Sequence, residues 1–160
     1  MKNKKGVLFI LLLILIIPNI VAIQITLSKE SYSPRETLQA EITGTFRSLS
    51  SDNFLIYEEN KVHSEPVIKA LTKQDNVYYF YALLPNRESN LSLRIEGAEY
   101  IDSGEIKNNP IIKNFLIKKT NESALSINPG FIITNKDFSV KIKPFSNQKI
   151  SAALEATGET

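Results

Sequence analysis

The chain has 160 residues, 42% of them hydrophobic, with 19 Lys and Arg against 17 Asp and Glu, one histidine and no cysteine. That composition excludes a disulfide framework, thiolate chemistry and any metal site built on several histidines. The formal charge of +2 is a weak field, and three of the lysines that make it up stand within the first five residues.

Those three, Lys2, Lys4 and Lys5, precede an unbroken apolar run over residues 7–17 and then Pro18, Asn19, Ile20, Val21 and Ala22. A basic start, an apolar stretch of this length and a helix breaker before a small residue make the pattern of a secretory signal peptide. Ala22 is the expected residue before the cut, although Ile20 is bulkier than the position two before it prefers. Residues 6–23 also approach the roughly 20 residues a membrane span needs, so an uncleaved signal-anchor helix is the competing expectation. Either way the lysines stay in the cytoplasm and the rest lies outside. Without cysteine there is no lipoprotein modification. Setting residues 1–22 aside lowers Lys plus Arg from 19 to 16 against an unchanged 17 Asp and Glu, a charge of −1. No basic patch is left to hold nucleic acid.

Beyond Ile23 no sustained helical period appears, and short β-branched and aromatic runs alternate with polar turns. Residues 23–27 alternate strictly, and residues 37–42 put Leu38, Ala40 and Ile42 on one face. A strand is expected over 54–57, then a turn at Glu58, Glu59, Asn60 and Lys61. Two more, over 67–71 and 77–84, flank a turn at Lys73, Gln74, Asp75 and Asn76. Leu91, Leu93 and Ile95 alternate with Ser92, Arg94 and Glu96. Tyr100 and Ile101 make a short strand, and residues 111–117 place Ile111, Phe115 and Ile117 together. Pro66, Pro85 and Pro110 fall at strand ends, where no ladder bond is lost. Seven or eight strands with turns every 8–12 residues describe an all-β, immunoglobulin-like β-sandwich over residues 23–118.

A shift of 100 residues lays Ile25, Thr26, Leu27 and Ser28 over Leu125, Ser126, Ile127 and Asn128, and Leu38, Ala40 and Ile42 over Phe138, Val140 and Ile142. Residues 119–160 are therefore expected to begin a second β module, with strands over 125–127, 138–142 and 150–154. Three strands leave edges and one apolar face uncovered. Either the chain is the front of a longer protein, which is the favoured expectation and leaves the second module incomplete, or those strands pair with the first module or a partner.

The first turn reads Ser28-Lys29-Glu30-Ser31-Tyr32-Ser33-Pro34-Arg35-Glu36-Thr37-Leu38. It resembles the Tyr-x-Pro-Gly-Glu-x-Val segment of extracellular immunoglobulin-like modules, including macroglobulin-type domains and prokaryotic surface-protein repeats. Arg35 stands where those modules prefer glycine. The resemblance covers about eleven residues and implies location and fold, with adhesive, envelope or spacer roles, and it carries no catalytic residue.

Catalysis is poorly supplied. His63 reads as a surface strand residue, no Gly-x-Ser-x-Gly elbow occurs and the six glycines are scattered, so no enzyme and no cofactor are expected. Carboxylate groups at Asp52 with Glu58 and Glu59, at Asp75 with Asn76, and at Glu99 with Asp102 and Glu105 lack the dense alternation of a calcium loop. Residues 77–84 carry aromatics on both faces. Tyr79 and Tyr81 are expected either to lie under a loop or the neighbouring module, or to form a strip on which a glycan or partner protein stacks. Asn90 and Asn121 open acceptor sequons. The expected partners are the membrane, through an uncleaved N-terminus, and other envelope proteins or glycans. The function expected is that of a non-catalytic exported surface protein, structural or adhesive. The alternatives are a carbohydrate- or partner-binding accessory module and the N-terminal part of a macroglobulin-like protein.

Overall fold

A computed structural model describes residues 23–58, 68–119 and 125–145. Residues 1–22, expected to be a signal peptide or anchor and ending at Ala22, lie outside the described residues, as do Glu59, His63, Asn121 and the strand expected over 150–154. Among the described residues no helix is long and apolar enough to cross a membrane.

The described chain is all-β. Its strands are β1 (Gln24–Leu27), β2 (Ser31–Tyr32), β3 (Thr37–Thr43), β4 (Thr45–Phe46), β5 (Phe54–Glu58), β6 (Lys69–Gln74), β7 (Val77–Leu83), β8 (Ser89–Ile95), β9 (Tyr100–Asp102), β10 (Glu105–Lys107), β11 (Ile111–Ile117), β12 (Leu125–Asn128) and β13 (Lys141–Pro144). One four-stranded sheet has the order β1-β3-β7-β6 and a second the order β2-β11-β8-β5. A small sheet, β10-β9-β4, and the two-stranded β12-β13 complete the set. Among the described residues eleven strands precede residue 118, where the sequence predicts seven or eight. The difference comes from the two-residue β2 and β4 and the three-residue β10, which are too short to show a period. The short strand expected at Tyr100 and Ile101 is present as β9.

The inward faces follow from alternation. Leu38, Ala40 and Ile42 of β3 stand opposite Ala82, Phe80 and Tyr78 of β7, and all six are buried. On the second sheet Ile56, Leu91, Leu93, Ile95, Phe115 and Ile117 are buried. The two sheets meet at Phe54 and Phe80, whose rings stack with centroids 4.3 Å apart. Burial of such side chains is worth roughly 1.5–3 kcal/mol each. The small sheet seats Phe46 edge-on against Tyr78, with centroids 5.6 Å apart.

The first edge is shared between the sheets. β1 pairs antiparallel with β3, and β2 then pairs parallel with β11 at Leu116 and Ile117. The crossing is fixed by Ser28, whose N–H still bonds to Gln39 O (3.0 Å), and by Glu30, whose carbonyl accepts from Leu116 N (3.2 Å).

The turn that follows β2 explains its own sequence. Glu36 N donates to Ser33 O at 3.1 Å, Pro34 lies between them and Arg35 has φ +66°. Proline second and a positive φ third is the pattern of a type II turn. The left-handed conformation is kept at Arg35 without the glycine that makes it easy. The buried Glu36 carboxylate accepts from Ser33 N at 2.7 Å and pairs with Lys29 at 2.5 Å. Tyr32 is buried edge-on against Phe115, its hydroxyl 3.2 Å from Ser28 Oγ and accepting from Lys29 N at 3.2 Å. The turn residues thus act as a structural clasp.

β12 and β13 pair antiparallel, as β1 and β3 do. Moved by 100, the pair Ile25 with Ile42 would give Leu125 with Ile142, whereas the observed partner of Ile142 is Ile127. The register slips by two residues, which keeps the same side chains on the same face. The strand expected over 138–142 starts at Lys141, and Phe138 and Val140 lie outside it.

Candidate functional site

The aromatic strand is β7, and it is central, with β3 on one side and β6 on the other. Tyr78, Phe80 and Ala82 point into the core and are buried, while Val77, Tyr79 and Tyr81 are half-buried on the outward face. That face is the seat of residues 127–131. Phe131 packs against Tyr79 with ring centroids 5.0 Å apart. The Tyr81 hydroxyl donates to Asn128 Oδ1 at 3.3 Å. Gly130 lies so close that a Cβ there would come within 2.5 Å of Tyr81 Cβ, so only glycine permits this approach.

β3 supplies the other half of the seat. Thr37 Oγ1 accepts from Ile127 N at 2.8 Å and donates to Ile127 O at 3.0 Å. Gln39 Nε2 donates to Gly130 O at 2.6 Å. Thr37 and Gln39 point outward on the same strand because they stand two positions apart. One hydroxyl therefore satisfies both main-chain groups of Ile127, as a neighbouring strand would. Arg35, beside this face, sets its guanidinium 5.8 Å from the Phe145 ring centroid.

Three of the carboxylates considered for calcium, Glu58, Glu99 and Asp102, are paired with cations. Glu58 pairs with Arg87 and accepts from Ser89 Oγ at 2.7 Å. Glu99 pairs with Arg47 at 3.2 Å, and Asp102 with Lys107 at 2.6 Å. The hydrogen bond from Lys107 holds the Asp102 carboxyl below the usual carboxylate range, and the same bond raises the Lys107 ammonium. Among the described residues no group of three or more His, Asp and Glu is placed to hold a metal ion.

Asn90 is exposed near the start of β8. Its neighbourhood is the outward face of the second sheet, a surface the sequence does not single out. Register sets Tyr57 of β5 beside Ser92 of β8, and Ser92 beside Asn114 of β11. The three residues form one row across three strands that are distant in sequence. Alternation within each strand marks them as outward, but the pairing that joins them is visible only in three dimensions. Arg94 lays its guanidinium 4.1 Å from the Tyr57 ring centroid.

No protein-family model matches this sequence, and no curated protein matches it either.

Proposed function

We infer that the chain is a non-catalytic, exported component of the cell surface, built of an immunoglobulin-like sandwich and the opening strands of a second module. Two features support the immunoglobulin-like reading. The sheet orders β1-β3-β7-β6 and β2-β11-β8-β5 correspond to the ABED and CFG sheets of that architecture, with the first strand divided between them. The Tyr32–Glu36 clasp sits at the turn where the resembling modules carry theirs.

The observation that carries the structural role is the seat of residues 127–131 on β3 and β7. The aromatic strip most suited to a ligand is occupied by the chain's own next segment, through side chains on Thr37, Gln39, Tyr79 and Tyr81. That is the behaviour of a joint between consecutive modules, which sets their direction relative to one another.

Export is tested with a reporter fused after Thr160 that is active only outside the cytoplasm. Activity with the full chain and its loss on removing residues 1–22 is the expected result. Equal activity of the two fusions, with or without residues 1–22, would overturn the reading.

A further inference from the structure

An open groove of about 900 Å³ runs between β1 and the β5–β8–β11 face. Its lining includes Gln24, Thr26, Tyr57, Asn90, Ser92 and Asn114. We propose that this groove is a binding site for an uncharged oligosaccharide, with Tyr57 as the platform and the Ser92–Asn114 row as its hydrogen-bonding wall.

Three observations lead there. The first is charge. The groove is also bordered by Lys29, Glu30, Glu58, Arg94 and Lys113, yet it carries no net field. Lys29 is neutralised by Glu36, Glu58 by Arg87 and Arg94 by Glu96, at 3.8 Å for the last. Glu30 and Lys113 add one charge of each sign. A charged ligand would find no surplus of the opposite sign.

The second is the chemistry of the wall. Amides and hydroxyls from β1, β8 and β11 offer both donors and acceptors, which is what a neutral polyol needs on several sides at once. Ser92 is only 8% exposed, and Arg94 Nε donates to its Oγ at 3.2 Å, so the centre of the row is held in place before any ligand arrives. Preorganisation of this kind lowers the cost of binding.

The third is the platform. Tyr57 is fixed at both ends, by the Arg94 guanidinium over its ring and by its hydroxyl donating to Glu96 Oε2 at 3.2 Å. The half-buried Tyr57 ring offers the face turned away from the guanidinium to the C–H face of a sugar ring. Ile112 and Leu116, 52% and 43% exposed on the same face, extend that surface along β11. An added β-strand is the occupant disfavoured here, because Lys113 stands in the middle of the open β11 edge, where lysine blocks strand pairing.

The site is independent of the joint on the other sheet, so its failure would leave the proposed surface role standing. The test is calorimetric titration of the full chain, in mild detergent, with cellotetraose, chitotetraose and mannotetraose as separate probes. Saturable binding of at least one is expected, weakened about tenfold by Tyr57→Ala and by Asn114→Ala, and kept by Tyr57→Phe and Tyr79→Ala. Asn114 is exposed, so its variant reports on the groove even if Tyr57→Ala fails to fold, and melting curves identify that case. Absence of binding to all three probes would overturn the proposal. So would binding that survives Asn114→Ala, or that Tyr79→Ala abolishes.

Discussion

Thr37 and Ile127, ninety positions apart in the chain, are joined by two hydrogen bonds through one hydroxyl, 2.8 Å from the Ile127 nitrogen and 3.0 Å from its oxygen. Thr37→Val keeps the shape of the side chain and removes both partners. Leaving partly buried main-chain groups unsatisfied costs about 1–3 kcal/mol. Faster hydrogen exchange at the Ile127 amide and earlier proteolytic cutting within residues 125–145 are expected, with the melting of the sandwich little changed. Unaltered exchange at Ile127 would show that the hydroxyl does not hold the segment.

Arg35 bears a conformation that suits glycine. Arg35→Gly relieves the left-handed strain of about 1–2 kcal/mol but adds freedom to the unfolded chain. The expected net is a stabilisation of about 0.5–1 kcal/mol, read as a higher urea midpoint. The same variant loses the contact with Phe145, so the sandwich gains stability while the hairpin is held less firmly.

The centre of the core lies between Phe54 and Phe80. Phe80→Ala is expected to cost about 3–5 kcal/mol in urea unfolding, because the stacked partner cannot fill the space. A cost near that of a surface substitution would contradict the packing described.

Tyr32 supplies a pH dependence. Burial raises its hydroxyl above the ordinary value of 10.0, against the opposing hydrogen bonds from Ser28 and Lys29. A raised folded value means that the stability it contributes is full below 10.0 and is lost as pH rises through the folded value. Urea midpoints are therefore expected to fall across that alkaline window. Tyr32→Phe removes this part of the slope while losing the two hydrogen bonds at neutral pH.

Much of the sandwich is legible from alternation alone. Leu38, Ala40 and Ile42, and again Leu91, Leu93 and Ile95, are read as inward faces and are buried. Residues 77–84 carry aromatics on both faces, so alternation leaves both a covered strand and an exposed strip open there. The contacts of Tyr79 and Tyr81 with residues 128–131 decide for the covered one. What alternation cannot supply is pairing between distant strands. The Tyr57–Ser92–Asn114 row depends on register across three strands, and the Thr37–Ile127 contact depends on where the second hairpin lands. The short β2, β4 and β10 have no room for a period. The left-handed Arg35 breaks the local rule that would announce it, with the clasp around Glu36 compensating the strain.

The central claim is that residues 127–131 are seated on β3 and β7 as a joint between modules. NMR of the full chain tests it most directly, through nuclear Overhauser contacts between the rings of Tyr79 and Phe131 and through Gly130→Ala. The account predicts those ring contacts, a protected Ile127 amide, and loss of both when an added Cβ at residue 130 meets Tyr81. Independent tumbling of residues 125–145, with no Tyr79–Phe131 contact and no effect of Gly130→Ala, would contradict it.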